Sequence, residues 1–296
     1  MMFRNINTTV FIPGKYYPSL SVSGRRCLLN CPYCLGKYLR DMLDVSNPVR
    51  LREVMDAYYS SGARGFLISG GFNREGYLLV RSEHLKVIRE FKRDHDVIVS
   101  MHLGLAPQSL VEEVWESGID FIDFEIPPSS KYIAYMKNLP DVRLEEFFKL
   151  YGLYESLARD FAVPHLVLDS VTSTSHEELE VMERIRMFNP HLFVALIEIR
   201  DNPPNDFSRV YKALKTARRY FREVSLGCMR SPIFKKKYDR YIVSEGLVDR
   251  IAVPEPSLIK EGLPVVWACC SVPRDKWNLF PSGFPRLNIL GSEEPQ

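Results

Sequence analysis

Residues 62–102 read GARGFLISGGFNREGYLLVRSEHLKVIREFKRDHDVIVSMH, and their pattern predicts one strand–helix–strand unit. Short apolar runs stand at 65–69 and 97–102, and the longer segment between them is typical of a helix. Gly62 comes just before the first run and can adopt the positive φ that ends a preceding helix. Nearly continuous apolar runs are typical of parallel strands covered on both faces. This stretch therefore predicts parallel strands joined by helices.

The same alternation extends along most of the chain. Eight apolar runs are predicted as strands, at residues 20–23, 65–69, 97–102, 119–125, 164–168, 192–199, 224–228 and 249–254. Apolar residues at helical spacing predict helices at 49–60, 144–161, 175–188 and 206–221. Ser46 or Asn47 is predicted to cap the first of these helices, and Ser175-His-Glu-Glu178 has the pattern of a capping box. About eight strand–helix repeats predict an α/β fold, a (β/α) TIM-type barrel that is complete or partly open.

The length of 296 residues suits one large barrel domain. We expect an N-terminal extension at residues 1–17 and the barrel at residues 18–255. The remaining residues, 256–296, are expected to form a C-terminal tail that covers one end of the barrel. The last six residues, 291–296, are expected to be frayed.

The overall composition is that of a folded, soluble protein, with 46% hydrophobic and 26% charged residues. Lys plus Arg total 39 against 37 for Asp plus Glu, a net charge of +2. Proteins that bind nucleic acid through phosphate contacts usually have a larger basic excess, so we do not expect a nucleic-acid partner. No apolar run approaches the roughly 20 residues that cross a bilayer, and the N-terminus has no signal-peptide pattern. We therefore expect a cytoplasmic protein without a membrane partner.

The six cysteines are unevenly distributed. The stretch SGRRCLLNCPYC, residues 23–34, places Cys27, Cys31 and Cys34 in a C-x3-C-x2-C pattern just after the first predicted strand. Barrel enzymes collect their active-site groups at the carboxyl ends of the strands. Three closely spaced thiolates can hold one face of an iron–sulfur cube and leave one iron open to a small molecule. A structural zinc site normally has four closed ligands, and only one C-x2-C pair occurs here.

A second motif ends the second predicted strand. The apolar run 66–69 finishes at Ser69 and is followed by Gly70 and Gly71. Glycines at this place let backbone groups approach a small polar ligand closely.

The cysteine triplet, with Tyr33 before its last member and its place after the first strand, resembles the radical S-adenosylmethionine superfamily. The resemblance implies that Cys27, Cys31 and Cys34 bind a [4Fe–4S] cluster whose open iron chelates S-adenosylmethionine. Reduction then cleaves this cofactor to methionine and a 5′-deoxyadenosyl radical. It further implies that residues 69–71 orient the methionine moiety, although Phe72 replaces the family's usual acidic neighbour.

Four short segments, residues 34–42, 100–105, 226–230 and 268–270, are similar to the biotin-synthase-like branch of that superfamily. Within the branch they are most similar to the archaeal two-protein lipoyl synthases. This resemblance implies insertion of sulfur into an unactivated C–H bond of an octanoyl chain, carried on a lysine of a lipoyl-carrier protein. It also implies a related radical S-adenosylmethionine partner subunit and an electron-donor protein.

The remaining cysteines bear on the source of sulfur. In lipoyl and biotin synthases a second, auxiliary iron–sulfur cluster is that source, and Cys228 with Cys269 or Cys270 are the available ligands for a second [4Fe–4S] cluster. Adjacent residues of an extended chain point to opposite faces, so Cys269 and Cys270 would need a turn to bind one cluster.

Polar residues at predicted strand ends are further candidates for pocket roles such as ribose, carboxylate or adenine contacts. His102 and Glu198 are the candidate cofactor contacts among them. The others are Glu125, Arg200 and Arg230. The remaining histidines, His165 among them, are given no role.

Two alternatives remain open. One keeps the radical chemistry with a single cluster, as in a methylase or mutase-like relative. The other is a non-catalytic barrel that binds zinc or an iron–sulfur cluster as a scaffold subunit.

Overall fold

A computed structural model of the chain describes residues 7–200 and 204–283. The strands in this part are β1 Thr9–Phe11, β2 Ser19–Ser21, β3 Leu43–Asp44, β4 Gly65–Ser69, β5 Ile98–Met101, β6 Phe121–Ile126, β7 Ala162–Leu168, β8 Leu192–Ile197, β9 Glu223–Leu226, β10 Arg250–Ala252, β11 Val265–Val266 and β12 Ser282–Gly283. The α-helices are α1 Pro48–Ser60, α2 Ser82–Asp94, α3 Gln108–Glu116, α4 Leu144–Leu157, α5 Ser175–Arg186, α6 Phe207–Tyr220, α7 Pro232–Ser244 and α8 Pro256–Lys260. Residues 291–296, predicted to be frayed, lie outside the described residues.

The strands form one curled, mainly parallel sheet. Its order is β3-β2-β4-β5-β6-β7-β8-β9-β10-β1-β11-β12, and the β11–β12 pair at one edge is antiparallel. The eight predicted strands correspond to β2, β4, β5, β6, β7, β8, β9 and β10, with ends shifted by a few residues. The α/β prediction is therefore confirmed, and within the described residues the barrel is of the partly open kind.

Local sequence signals begin the helices. Asn47 caps α1, where its side chain accepts a hydrogen bond from the backbone N–H of Val49 at 2.9 Å. The capping box of α5 lies one residue earlier than predicted. Thr174, and not Ser175, is the N-cap, because its Oγ1 accepts from the N–H of Glu177 while the Glu177 carboxylate accepts from the N–H of Thr174 at 2.7 Å.

The sheet has two packed faces. Its convex face packs against the helices through apolar side chains such as Leu51 of α1 and Ile88 of α2. Its concave face carries a second apolar cluster that includes Phe121, Val163 and Val194, from three adjacent strands. Parallel strands covered on both sides are expected to be apolar on both faces, as these are.

Both chain ends contribute to the sheet. β1, within the predicted extension, pairs with β10 on one side and β11 on the other. The described part of the tail packs against the concave face, because Ala268 and Val272 belong to the inner cluster. Arg250 is fully buried beneath the tail and donates hydrogen bonds to the carbonyl oxygens of Cys270 and Val272 at 2.8 and 2.7 Å. No helix of the described residues is long and apolar enough to span a membrane.

Candidate active site

The three N-terminal cysteines lie in the loop that follows β2. Cys27, Cys31 and Cys34 are all half-buried free thiols. The loop turns tightly after Cys31, because the carbonyl oxygen of that residue accepts from the N–H groups of Cys34 and Leu35 at 3.2 and 2.9 Å. This turn brings Cys31 and Cys34 into one short segment at the carboxyl edge of the sheet.

The glycine pair after β4 packs directly against the backbone of this loop. A β-carbon at Gly71 would stand 1.9 Å from the carbonyl oxygen of Arg26 and 2.6 Å from the Cα of Cys27, which no side chain can accommodate. The N–H of Gly71 donates to the Oγ of Ser23 at 2.6 Å. The backbone that approaches Gly71 is thus that of the cysteine loop itself, and contact of the glycine pair with a cofactor stays a prediction.

The segment after β6 holds the other side of the loop. The side-chain amide of Asn138 donates to the carbonyl oxygen of Leu29 at 2.8 Å, and the Cys31 thiol lies 3.4 Å from the carbonyl oxygen of Lys137. The Lys137 ammonium forms an ion pair with Glu125 at 2.7 Å. Burial raises the pKa of Cys31 to about 11, and the Lys137 charge opposes that rise. A metal ion that binds this sulfur as a thiolate would displace its proton.

Among the described residues, two polar atoms beside the loop make no hydrogen bond of ordinary geometry, although Tyr38 lies near the first of them. They are the hydroxyl of Tyr33 and the Oε1 of Glu125, and both are buried. Burial raises the pKa of Tyr33, and the nearby Tyr38 and Glu125 side chains raise it further, so its hydroxyl is a donor at neutral pH. A buried donor and acceptor without partners can bind complementary groups of a ligand.

The donor atoms of the cysteine loop are of the kind that an iron–sulfur cluster takes. In the described part of the chain, no group of three His, Cys, Asp or Glu side chains converges enough to hold one metal ion. A cube presents its irons at separate corners, so its thiolates stand further apart than ligands around one ion. Three free thiols in one short loop match that donor set.

Ser69 and His102 meet at the ends of neighbouring strands. The Oγ of Ser69 lies 3.1 Å from Nδ1 of His102. Burial lowers the pKa of His102, so its ring is neutral at physiological pH. The structure therefore brings two of the predicted cofactor contacts together.

Glu198 and Arg230 are bound within the protein. Glu198 is 2% exposed and accepts from the hydroxyl of Ser170 at 2.6 Å, with Arg200 at 3.4 Å from its other oxygen. Arg230 forms a fully buried ion pair with Asp239 at 2.9 Å. The pocket role that the sequence suggested for Arg230 is therefore wrong, and its guanidinium holds α7 against the end of β9.

Cys269 and Cys270 lie at the concave face, and Cys228 follows the end of β9. Cys228 is exposed there, Cys269 is half-buried and Cys270 is buried. The turn that adjacent cysteines require is present, since the N–H of Val272 donates to the carbonyl oxygen of Cys269 at 3.2 Å. Interaction between the two neighbouring thiols lowers the pKa of Cys270 to about 6 and raises that of Cys269. Limited hydration raises the pKa of Cys228, although solvent reaches its side chain, and the nearby Cys270 raises it further.

The sequence interpretation missed a polar pair on the same concave face. Asp123 of β6 and His165 of β7 lie with Oδ1 and Nε2 3.6 Å apart. His165 falls within the strand predicted at 164–168 and lies in β7, but no role is predicted for it from the sequence. The sequence does contain a signal for Asp123. Side chains of a strand alternate between its two faces, so in residues 121–126 Asp123 and Glu125 lie on the same face as Phe121.

Comparisons with known proteins bear on the fold. No protein-family model matches the chain, and no curated protein matches its sequence. Among solved structures, it is similar to HydG, a maturase of the [FeFe]-hydrogenase, with a TM-score of 0.58 and 11% identity over 92% of this chain and 66% of HydG. It is also similar to methylornithine synthase (PylB), with a TM-score of 0.54 and 9% identity over 83% of this chain and 72% of that one.

A third similar structure is that of Streptococcus suis SuiB bound to S-adenosylmethionine. Its TM-score is 0.54, with 14% identity over 78% of this chain and 49% of SuiB. The chain thus spans about half the length of SuiB. At such identities these likenesses show a shared fold.

Proposed function

We propose that this chain is a radical S-adenosylmethionine enzyme that inserts sulfur into an unactivated C–H bond, of the lipoyl-synthase type. The main observation behind the proposal is a loop with three free thiols, those of Cys27, Cys31 and Cys34. This loop packs against Gly71 at the carboxyl edge of a curled parallel sheet. That edge is where barrel folds place their chemistry. A shared fold with a structure solved with S-adenosylmethionine bound agrees with the proposal.

We assign proposed roles to the residues of the cysteine loop and to those that contact it. The three thiolates hold a [4Fe–4S] cluster, which when bound supplies the electron and the open iron for reductive cleavage of S-adenosylmethionine. Ser23 and Asn138 fix the loop from opposite sides. The hydroxyl of Tyr33 is available to donate a hydrogen bond to the bound cofactor.

Ser69 and His102 form a neutral polar pair next to this position. With Gly70 they are proposed to contact the cofactor's methionine moiety and sugar. The carboxylate of Glu198 accepts a hydrogen bond from Ser170 and pairs with Arg200. Glu198 is therefore proposed to affect cofactor binding only indirectly, through these two residues.

The second half of the proposal is a sulfur-donating cluster held by Cys228 with Cys269 or Cys270. Cys269 and Cys270 belong to the apolar cluster of the concave face, and Cys270 contributes, after burial, to the raised pKa of Cys228. A turn follows Cys269, whose carbonyl oxygen accepts from the N–H of Val272. Cys228 is accessible to solvent, so a substrate can reach this position from outside.

The proposed substrate is an octanoyl chain on a lysine of a lipoyl-carrier protein. Met229 is partly exposed at the concave face beside the buried Val167 and Leu196, and an apolar surface of this kind suits a hydrocarbon chain. A related radical S-adenosylmethionine subunit and an electron-donor protein complete the proposed system, which we place in the cytoplasm.

An anaerobic assay with an octanoyl-lysyl peptide and dithionite tests both halves. The wild-type chain should form 5′-deoxyadenosine and a thiolated peptide. Cys31→Ala should form neither, whereas Cys228→Ala should form 5′-deoxyadenosine alone. If the wild-type chain never forms 5′-deoxyadenosine, with or without the peptide, the enzyme proposal fails. If it forms 5′-deoxyadenosine and never a thiolated product, the single-cluster alternatives, such as a methylase or mutase-like enzyme, replace sulfur insertion.

A further inference from the structure

The cysteine loop presents large apolar side chains to solvent. Leu28, Leu35 and Tyr38 are 39%, 67% and 41% exposed. Other apolar residues hold the loop on the protein, since Leu29 and Leu39 are buried, at 4% and 8%. Exposed apolar side chains that are concentrated in one loop are typical of a surface that another molecule covers.

The most exposed of these residues, Leu35, has an unfavourable backbone conformation. Its φ is 46°, in the left-handed region that a bulky side chain rarely adopts. The tight turn after Cys31 accompanies this conformation, because the carbonyl oxygen of Cys31 accepts from the N–H of Leu35 at 2.9 Å. Residues in such conformations cluster at functional sites. The loop therefore displays a leucine at its surface at a conformational cost.

The same loop concentrates positive charge. Residues 25–40 contain four basic residues, Arg25, Arg26, Lys37 and Arg40, and no Asp or Glu. The whole chain, in contrast, has 39 basic against 37 acidic residues. All four basic residues are exposed. The surface around the three cysteines is therefore basic in an otherwise balanced protein.

The two ends of the loop lie next to each other. The strands that flank it, β2 and β3, are parallel neighbours, with Ser21 opposite Asp44. Arg25 follows the first of these strands closely, and Arg40 precedes the second. The basic residues thus border the loop at both ends, and the exposed apolar residues lie along the chain between them.

We propose that this surface is the docking site of an acidic electron-donor protein. The inference rests on the proposed function, in which the cluster held by Cys27, Cys31 and Cys34 is reduced from outside. A donor docked on the loop lies directly against the segment that carries the three thiols. The donor loses one electron and the cluster gains it, and no bond forms or breaks.

Charge and size favour this occupant. Exposed basic side chains steer an acidic partner into the encounter and orient it. Interfaces between electron-transfer partners are small, and a few apolar side chains within a basic border suit such an interface. The octanoyl substrate is proposed to bind at the concave face instead. The low net charge of +2 argues against a nucleic acid as the occupant.

The test compares two charge reversals of equal size. Lys37→Glu/Arg40→Glu changes the loop, and Lys215→Glu/Arg219→Glu is the matched control on α6. The control residues are also exposed, and Lys215 lies over a tyrosine ring as Lys37 does. The probe is an acidic plant-type [2Fe–2S] ferredoxin. Its dissociation constant for the anaerobically reconstituted chain is measured by calorimetry at low and high salt.

We expect the native chain to bind the ferredoxin, and salt to weaken the binding by screening the charges. The loop variant should bind at least about tenfold more weakly and with a flatter salt dependence, whereas the α6 variant should match the native chain. Leu35→Asn keeps a residue that tolerates the positive φ. It should weaken binding and leave the salt dependence unchanged, because it removes no charge.

Product formation gives a second comparison. With ferredoxin kept reduced by NADPH and its reductase, formation of 5′-deoxyadenosine should fall in the loop variant in step with binding. The amount formed with excess dithionite, which needs no docking, should remain that of the native chain.

Two results would overturn the docking site: equal weakening in both charge variants, or no binding of the ferredoxin by the native chain at low salt. Heparin is a polyanion without a redox centre. If it binds the loop as tightly as the ferredoxin does and Leu35→Asn changes neither affinity, the loop is a general anion site and the proposal also fails. If the native chain forms no 5′-deoxyadenosine even with dithionite, the proposed radical chemistry fails, a result that the binding measurements do not affect.

Discussion

The backbone carbonyl of Arg26 lies so close to Gly71 that a β-carbon on the glycine would stand 1.9 Å from the oxygen. The neighbouring atoms are backbone atoms of the cysteine loop and cannot rotate away. The end of β4 and the cysteine loop are therefore fitted to each other at a residue without a side chain. Because this contact fixes the position of the loop, it also fixes the position of any cofactor that the loop binds.

Gly71→Ala is expected to displace the cysteine loop. Overpacking of this kind costs about 2 kcal/mol, which lowers the docked fraction of the loop about thirtyfold. The first cluster should be lost or become labile to chelators, and formation of 5′-deoxyadenosine should fall with it. Iron analysis of the anaerobically reconstituted variant measures the effect.

Gly152→Ala is the matched control for this substitution. Gly152 lies inside α4, and a β-carbon there would meet its nearest neighbour outside the helix backbone, Phe188, at an ordinary 3.6 Å. Alanine favours helix over glycine by about 1 kcal/mol, so this variant should be at least as stable as the native chain. Equal iron loss in both variants would show that the contact at Gly71 has no special role.

Asn138, in the segment after β6, donates a side-chain hydrogen bond to the cysteine loop. Its backbone has a positive φ of 57°. Asn138→Gly keeps a residue that tolerates this conformation and removes the hydrogen bond to Leu29, which contributes about 1 kcal/mol. We expect the first cluster to lose iron several-fold faster to a chelator, with thermal unfolding of the chain little changed. An unchanged rate of iron loss would contradict a tethering role for the side chain.

Much of the fold could be predicted because parallel strands buried on both faces leave long apolar runs. The eight barrel strands were found in this way. β1 was not, because Thr9–Phe11 is three residues long and its partner β10 lies at the far end of the chain. The entry of the tail into the concave face depends on space inside the sheet, and no local pattern encodes that.

The site was predictable where spacing along the chain reflects the chemistry, as it does in the cysteine triplet. It was not predictable where strands from distant positions meet. Asp123 and His165 become neighbours only through the register of β6 and β7, in which Glu125 pairs with His165. Arg230 could not be separated from a pocket residue in sequence, because its partner Asp239 is one side chain among many on α7.

Acid should weaken the attachment of the tail. Burial acts to raise the pKa of Glu223, but Arg250 and Arg274 outweigh it and hold the pKa below the usual 4.5. Because the pKa is lower in the folded state, the ionised carboxylate stabilises the fold above about pH 4.5, and this stabilisation is lost as pH falls through the folded-state pKa. Glu223→Gln should show a shallower fall in the free energy of unfolding below pH 4.5, measured by urea denaturation. Glu116→Gln, at a side chain that is 70% exposed, should retain the native pH profile.

The buried pair of Arg230 and Asp239 links the stability of the barrel to the position of Cys228. Both side chains are fully buried, and Arg230 also donates to the carbonyl oxygen of Gly227, next to that cysteine. Asp239→Asn leaves a buried guanidinium without its counter-charge, so we expect a loss of about 3 kcal/mol in the free energy of unfolding. Glu180→Gln, at an exposed pair with His176, should change it by less than about 0.5 kcal/mol.

If the second cluster depends on the segment that Arg230 fixes, Asp239→Asn should also release its iron at temperatures below global unfolding, while iron in the N-terminal loop is retained. Simultaneous loss of both clusters at the unfolding midpoint would instead mean that the ion pair acts on the fold as a whole.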